Sequence, residues 1–174
     1  LLALGDLKSA AKLLRVVPDR EEDVATERAR VNVSFLMNDN AGACDTVRSR
    51  VAESQVAFWR KAQVFCHLLS GETQIASIGA GLLEEQGAAD TAFLALVRAL
   101  AGEHSAGPLE LERPTPLHIA MMRAARLELP SSMVATAEPV LLRSFALSPN
   151  AGLDERLEAA ERAATLGALD GNEL

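Results

Sequence analysis

Between Ser54 and Gln86 the sequence holds two runs of helical periodicity separated only by Ser70-Gly71. In the first run Phe58, Ala62, Phe65 and Leu69 recur at i, i+4, i+7 and i+11, one face of a 3.6-residue helix. Ser54 suits the N-cap, since its hydroxyl can accept from a free first-turn N–H. Gly71 supplies the left-handed conformation that ends helices. In the second run Ile75, Ile78, Gly79 and Leu82 form an apolar stripe, read here as the inward face, and Gly87 closes it. Ala76, Gly79, Ala80 and Gly81 are small enough for two helices to approach closely, although each helical glycine costs about 1 kcal/mol. The stretch therefore predicts an antiparallel helix pair. One such pair cannot bury its own apolar faces and needs helical neighbours.

The neighbours are visible as repetition. Gly5-Asp6-Leu7-Lys8-Ser9-Ala10 opens one helix, Asp39-Asn40-Ala41-Gly42-Ala43-Cys44 another, and Gly71-Glu72-Thr73-Gln74-Ile75-Ala76 a third. The offsets are 34 and then 32 residues. Residues 1–90 resemble degenerate tetratricopeptide repeats, whose period is about 34 residues. Gly5 with Ala10, and Gly71 with Ala76, match the turn glycine and close-contact alanine of that family's second helix. Asp39 and Cys44 replace them in the middle unit, and the chain has no tyrosine for the aromatic positions of the first helix. The resemblance implies a right-handed superhelix whose first helices line a concave, partner-binding face, and it implies no catalysis. The Ala-, Leu- and Arg-rich style also resembles uncharacterised alphaproteobacterial repeat proteins.

The fold expected is all-α: antiparallel helix pairs stacked as a short tetratricopeptide-like superhelix, with a C-terminal group of shorter helices. Residues 1–102 form the repeat unit. Residues 103–116, with Gly107-Pro108, Pro114 and Pro116, form a connector. Residues 117–174 form a cap or second helical unit. Thr115-Pro116 reads as N-cap and first residue of a helix carrying Leu117, Ala120, Met121, Ala124 and Leu127. A short helical turn over 131–137 follows, then a helix from Glu138-Pro139 and a last one over 153–169 with Leu157, Ala160 and Ala164 inward, joined by Leu166 or Ala168. In the N-terminal part, Val24, Arg28, Val31 and Phe35 share a side of a helix that the acids of 19–23 introduce. The chain begins at Leu1-Leu2, inside a repeat, and reads as a piece of a longer bacterial protein.

Hydrophobic residues make up 49% of the 174 but aromatics only 3%, so the core must be mostly aliphatic and alanine. No apolar run approaches the roughly 20 residues of a membrane span, which predicts a soluble protein of a bacterial cytoplasm or periplasm. The net charge of −7 lies wholly in residues 61–174, which carry eight Lys/Arg against fifteen Asp/Glu. An acidic surface without a basic stripe argues against nucleic acid and suits a protein or peptide partner of basic character. Self-association is compatible with the same pattern. Cys44 and Cys66 fall on consecutive helices and could be bridged or free. The frequency of cysteine as a small core residue favours free, buried thiols.

Reactive residues do not cluster. His67, His104 and His118 are far apart and show no metal-ligand spacing. Cys66 and His67 are adjacent, so on a helix they point about 100° apart and cannot form a catalytic pair. Ser9-Ala10-Ala11-Lys12 matches S-x-x-K without its companion motifs. Gly79-Ala80-Gly81 has no preceding strand for a dinucleotide site, and the turn at 38–42 lacks the glutamate of a calcium loop. No catalytic residue, metal site or cofactor is assigned, and the chain is read as non-enzymatic.

One polar row stands out. Arg60, Gln63, His67 and Ser70 lie at i, i+3, i+7 and i+10 beside the apolar face of the central helix, with Trp59 at the edge. Tryptophan and arginine are enriched where proteins bind one another. Trp59, Arg60, Gln63 and His67 are thus the candidate partner-binding residues of a helical-repeat scaffold. The alternatives are a structural segment of a larger envelope or assembly protein, and a helical domain of an enzyme whose catalytic residues lie elsewhere.

Overall fold

A computed structural model describes residues 5–17, 24–52, 54–103, 109, 111, 113–129 and 131–169. Pro18, the acids of 19–23, His104, Gly107-Pro108, Pro130 and the terminal 170–174 lie outside the described residues. Among those described there are ten helices and no strand. They are α1 (Leu7–Val16), α2 (Val24–Leu36), α3 (Asn40–Arg50), α4 (Ala57–Leu69), α5 (Thr73–Glu85), α6 (Thr91–Leu100), α7 (Pro116–Ala124), α8 (Ser131–Thr136), α9 (Pro139–Ala146) and α10 (Leu153–Thr165). The all-α expectation holds.

Local chemistry sets the helix ends. Asp6 accepts from the Ser9 N–H at 2.9 Å, Asp39 from Gly42 at 3.0 Å and Asp90 from Phe93 at 2.8 Å, each satisfying a first-turn donor. Gly71 and Gly87 close α4 and α5 with positive φ. The last carbonyls of α1 are met by Arg30 of α2, which donates to Leu14 O at 3.1 Å and Val17 O at 2.6 Å. Ser54 is not the N-cap of α4. Its hydroxyl accepts from the Val56 N–H at 3.2 Å, and Val56 occupies the cap with no side-chain bond.

Helices α1 to α6 pack in sequence, each on the next. Helix α7 then returns across the row and packs on α2, α4 and α6. Leu117, Ile119, Ala120, Met121 and Met122 are all buried there. The face that the repeat resemblance assigns to an open groove is thereby filled by the chain itself. Phe35 and Phe65 meet at 5.5 Å between ring centroids at the centre of this core. Beyond α7, α9 and α10 form the tightest hairpin of the C-terminal group. Arg156 donates to Ala146 O at 3.2 Å and Arg162 to Val134 O, which fastens α10 to the ends of α9 and α8. The two ends of the described chain also meet. A Cβ placed on Gly5 would lie 2.3 Å from Ala168 Cβ.

Cys44 of α3 and Cys66 of α4 form a disulfide with their Cα atoms 5.7 Å apart. This corrects the expectation of free thiols. Packing of α3 on α4 brings two buried positions within bridging distance, which sequence spacing does not reveal.

Two inward faces also differ from expectation. On α5 the buried residues are Ala76, Ala80 and Leu83, while Ile75, Ile78 and Leu82 face outward. On α10 they are Ala159, Ala160 and Ala163, with Ala168 buried just beyond it; Ala160 and Ala168 are inward as expected, while Leu157, Ala164 and Leu166 are exposed. In both helices the close approach of a hairpin partner selects the small side and turns the large aliphatic side away. On α2, Val31 and Phe35 are buried as expected, but Val24 and Arg28 are exposed, Arg28 lying 5.4 Å over the Phe58 ring.

Candidate functional site

The polar row of α4 does not stay together as a contact surface. Trp59 is 1% exposed and packs edge-on against Phe58 at 5.2 Å, so it belongs to the core. Arg60 is half-buried and donates to Gln86 Oε1 at 2.9 Å and to Gln55. His67 Nδ1 lies 2.5 Å from Glu72 Oε2. These two contacts fasten opposite ends of the antiparallel α4–α5 hairpin, one at the close of α5 and one across the Ser70-Gly71 turn. Gln63 lies between them, half-buried. Three of the four candidates thus flank the hairpin, and the polar atoms of Arg60 and His67 are engaged within it.

A second polar group joins α4, α6 and α7. Lys61 Nζ meets Asp90 Oδ2 at 2.6 Å, and Asp90 Oδ1 lies 3.3 Å from His118 Nε2. His118 and Thr115 form a capping box at the start of α7: the His118 N–H donates to Thr115 Oγ1, and the Thr115 N–H donates to His118 Nδ1, both at 3.3 Å. Because Nδ1 accepts, the neutral ring carries its proton on Nε2, facing Asp90. Burial lowers the His118 pKa, with the Asp90 charge opposing that effect. Burial alone would raise Asp90, but hydrogen bonds from Lys61 and the Phe93 N–H, and the charges beside it, hold it below its usual value. The group locks three helices together. It offers no open position to a substrate, since His118 is buried and both its ring nitrogens are occupied.

What remains outward is the far side of α5. Ile75, Ile78 and Leu82 are 52%, 67% and 52% exposed and form one row at i, i+3 and i+7. Glu85 is exposed next to the row and Glu72, which meets His67, lies at its head, whereas Glu84 is on the far side of the helix, in the groove toward α6. No Lys or Arg occurs between Lys61 and Arg98. Gly79 is needed inside the fold, because a Cβ there would come within 2.9 Å of Val64 Cγ2 on α4. Gly81 meets nothing within 4 Å and lies on the floor of a groove of about 190 Å³ between α5 and α6, closed on the α6 side by Leu94, Val97 and Arg98. Sequence reading missed this surface by assigning the row to the core. The signal was present: α5 is apolar on two sides, and its neighbours α4 and α6 leave the Ile75, Ile78, Leu82 side uncovered.

A larger cleft of about 850 Å³ opens between α1, α2 and α3. Its ion pair, half-buried Arg50 with buried Glu27 at 2.5 Å, and the Arg30 contacts with α1 are explained by helix packing. Among the described residues no three His, Cys, Asp or Glu side chains converge as metal ligands, and no helix is long and apolar enough to cross a membrane.

No protein-family model, curated protein or solved structure matches this chain.

Proposed function

We propose that the chain is a non-enzymatic protein–protein interaction module, a bacterial helical-repeat scaffold of tetratricopeptide-like character. The observation that carries this reading is the exposed Ile75, Ile78, Leu82 row on α5. Solvated apolar rows rimmed by charge mark surfaces that another protein covers. The α2–α4–α6 row is filled by α7, so the partner is taken on the outer side of the central hairpin. Arg60, Gln63 and His67 border that hairpin and belong to the margin of the contact, with Trp59 supporting it from the core. The acidic surroundings favour a basic partner over nucleic acid.

The Cys44–Cys66 disulfide favours an oxidising compartment, which in a bacterium is the periplasm. A second reading, a structural segment of a larger assembly, is supported by Leu153 and Leu157, exposed on the outer side of the final hairpin where a further helix could stack.

Affinity capture from native extract tests the first reading. Wild-type protein is compared with Ile78→Glu and with Arg60→Glu, once circular dichroism shows all three folded. The module reading expects a partner that wild type retains, Ile78→Glu loses and Arg60→Glu holds more weakly. A partner held equally by all three, or none specific to the wild type, would contradict it.

A further inference from the structure

The capping box at the head of α7 closes in one protonation state only. The Thr115 N–H is a donor at every pH, so His118 Nδ1 has to accept from it. The single proton of the neutral ring then sits on Nε2, toward Asp90. A second proton would enter at Nδ1 and face the Thr115 N–H, donor against donor. Moving the ring aside would break its contact with Asp90, and His118 is only 5% exposed. The usual partner at this position of a capping box is glutamate or glutamine. Histidine in its place adds a group whose ordinary titration falls near neutrality.

We propose that the first turn of α7 is an acid-operated latch, released from α4 and α6 when His118 takes a second proton. The turn carries Leu117, which is buried while the latch is closed. Release therefore bares an apolar side chain at the end of the face that α7 fills. Ile119, Ala120, Met121 and Met122 are buried further along and hold the rest of the helix in place. The device goes beyond the interaction-module reading and does not depend on what the chain binds.

The surroundings of the ring set its response. Burial resists the second proton most strongly. Asp90, at the head of α6, attracts that proton, but Lys61 of α4 already pairs with Asp90 at 2.6 Å and opposes it. Helices α2 and α9 also pack on α7. Their charges are directed elsewhere: Glu27 to Arg50, Arg28 to the Phe58 ring, Arg30 to the end of α1, and Arg143 to the pocket at the head of α1. Arg123 of α7 itself donates to Phe35 O. A ring freed by opening regains its ordinary value near 6.5, so acidification from pH 7.5 to pH 5 favours the open turn by about fivefold or more.

Amide hydrogen exchange in the whole chain tests the latch, read as protection factors so that the intrinsic pH dependence of exchange cancels. The amides to follow are Thr115, which donates to Nδ1, His118, which donates to Thr115 Oγ1, and Ile119, which donates to Thr115 O. In the wild type their protection should fall about fivefold or more between pH 7.5 and pH 5. Sub-denaturing urea should leave that exchange unchanged, because opening one turn exposes little surface. His118→Gln keeps an acceptor for the Thr115 N–H and does not titrate, so its protection should hold at both pH values. In Lys61→Met the carboxylate of Asp90 is left to the ring, the closed turn tolerates the second proton better, and the loss should shrink. Circular dichroism establishes that each protein is folded at both pH values. An equal loss in His118→Gln, no loss in the wild type, or a larger loss in Lys61→Met overturns the proposal. So does a wild-type loss that urea accelerates as strongly as exchange in α10, because the whole fold is then opening.

Discussion

Lys61 of α4 and Asp90 at the head of α6 meet at 2.6 Å, and the same carboxylate faces His118 of α7. The pairing ties together three helices of different sequence position. Burial of His118 in this group also makes the fold sensitive to acid. The folded His118 binds a proton less readily than the unfolded chain, because burial lowers its pKa. Its contribution is therefore fully present above the unfolded value of 6.5 and is lost as pH falls through the folded value. Asp90, lowered from 3.8, adds a second loss of the same sign at more acid pH. Urea midpoints measured from pH 8 to pH 5 should fall for the wild type below pH 6.5 and fall less for His118→Gln. Parallel curves for the two proteins would remove His118 from the account.

Breaking the Cys44–Cys66 bridge should destabilise without unfolding. The bridged positions are 22 residues apart, for which loss of the cross-link costs about 3 kcal/mol on the chain-entropy model. Urea denaturation with and without a reductant measures the difference, and Cys44→Ala/Cys66→Ala should reproduce the reduced value. An unchanged midpoint on reduction would show that the bridge contributes nothing to stability.

Two glycines should respond in opposite directions. Gly5 has φ +83° and its missing Cβ would overlap Ala168, so Gly5→Ala should cost about 1–3 kcal/mol. Gly81 has a helical backbone and open space around it, so Gly81→Ala should stabilise by about 0.5–1 kcal/mol. Thermal denaturation of the two variants checks both signs at once.

The helices were legible in the sequence because periodicity, caps and glycine stops act locally. Thr115-Pro116, Pro139, Gly71 and Gly87 mark their boundaries correctly. Which face turns inward was less legible. A hydrophobic stripe reading selects the largest aliphatic residues, whereas the α4–α5 and α9–α10 hairpins are so close that alanine is selected instead. Cys44–Cys66 and the return of α7 across α2, α4 and α6 depend on contacts between distant positions, which no local pattern encodes. Of the candidate row on α4, Arg60 and His67 are taken up in contacts along the α4–α5 hairpin and Trp59 turns into the core, and both depend on neighbours that the row's own spacing does not show.

The alanine faces give a direct check on this packing argument. Ala76→Leu places a large side chain in a fully buried contact and should cost about 1–3 kcal/mol, while Ile78→Ser on the exposed side should stay within about 0.5 kcal/mol of wild type. Chemical denaturation separates the two cases. Equal effects would mean that α5 presents its faces the other way round.

The most direct test of the account is site-specific photo-crosslinking in native extract. A photoreactive side chain is placed at Ile78 in one protein and at Leu157 of α10 in another, and the captured segment is identified by mass spectrometry. The account predicts an adduct from position 78, with a partner protein, that position 157 does not give. An adduct from position 78 with a second copy of the chain, or capture only from position 157, would contradict it.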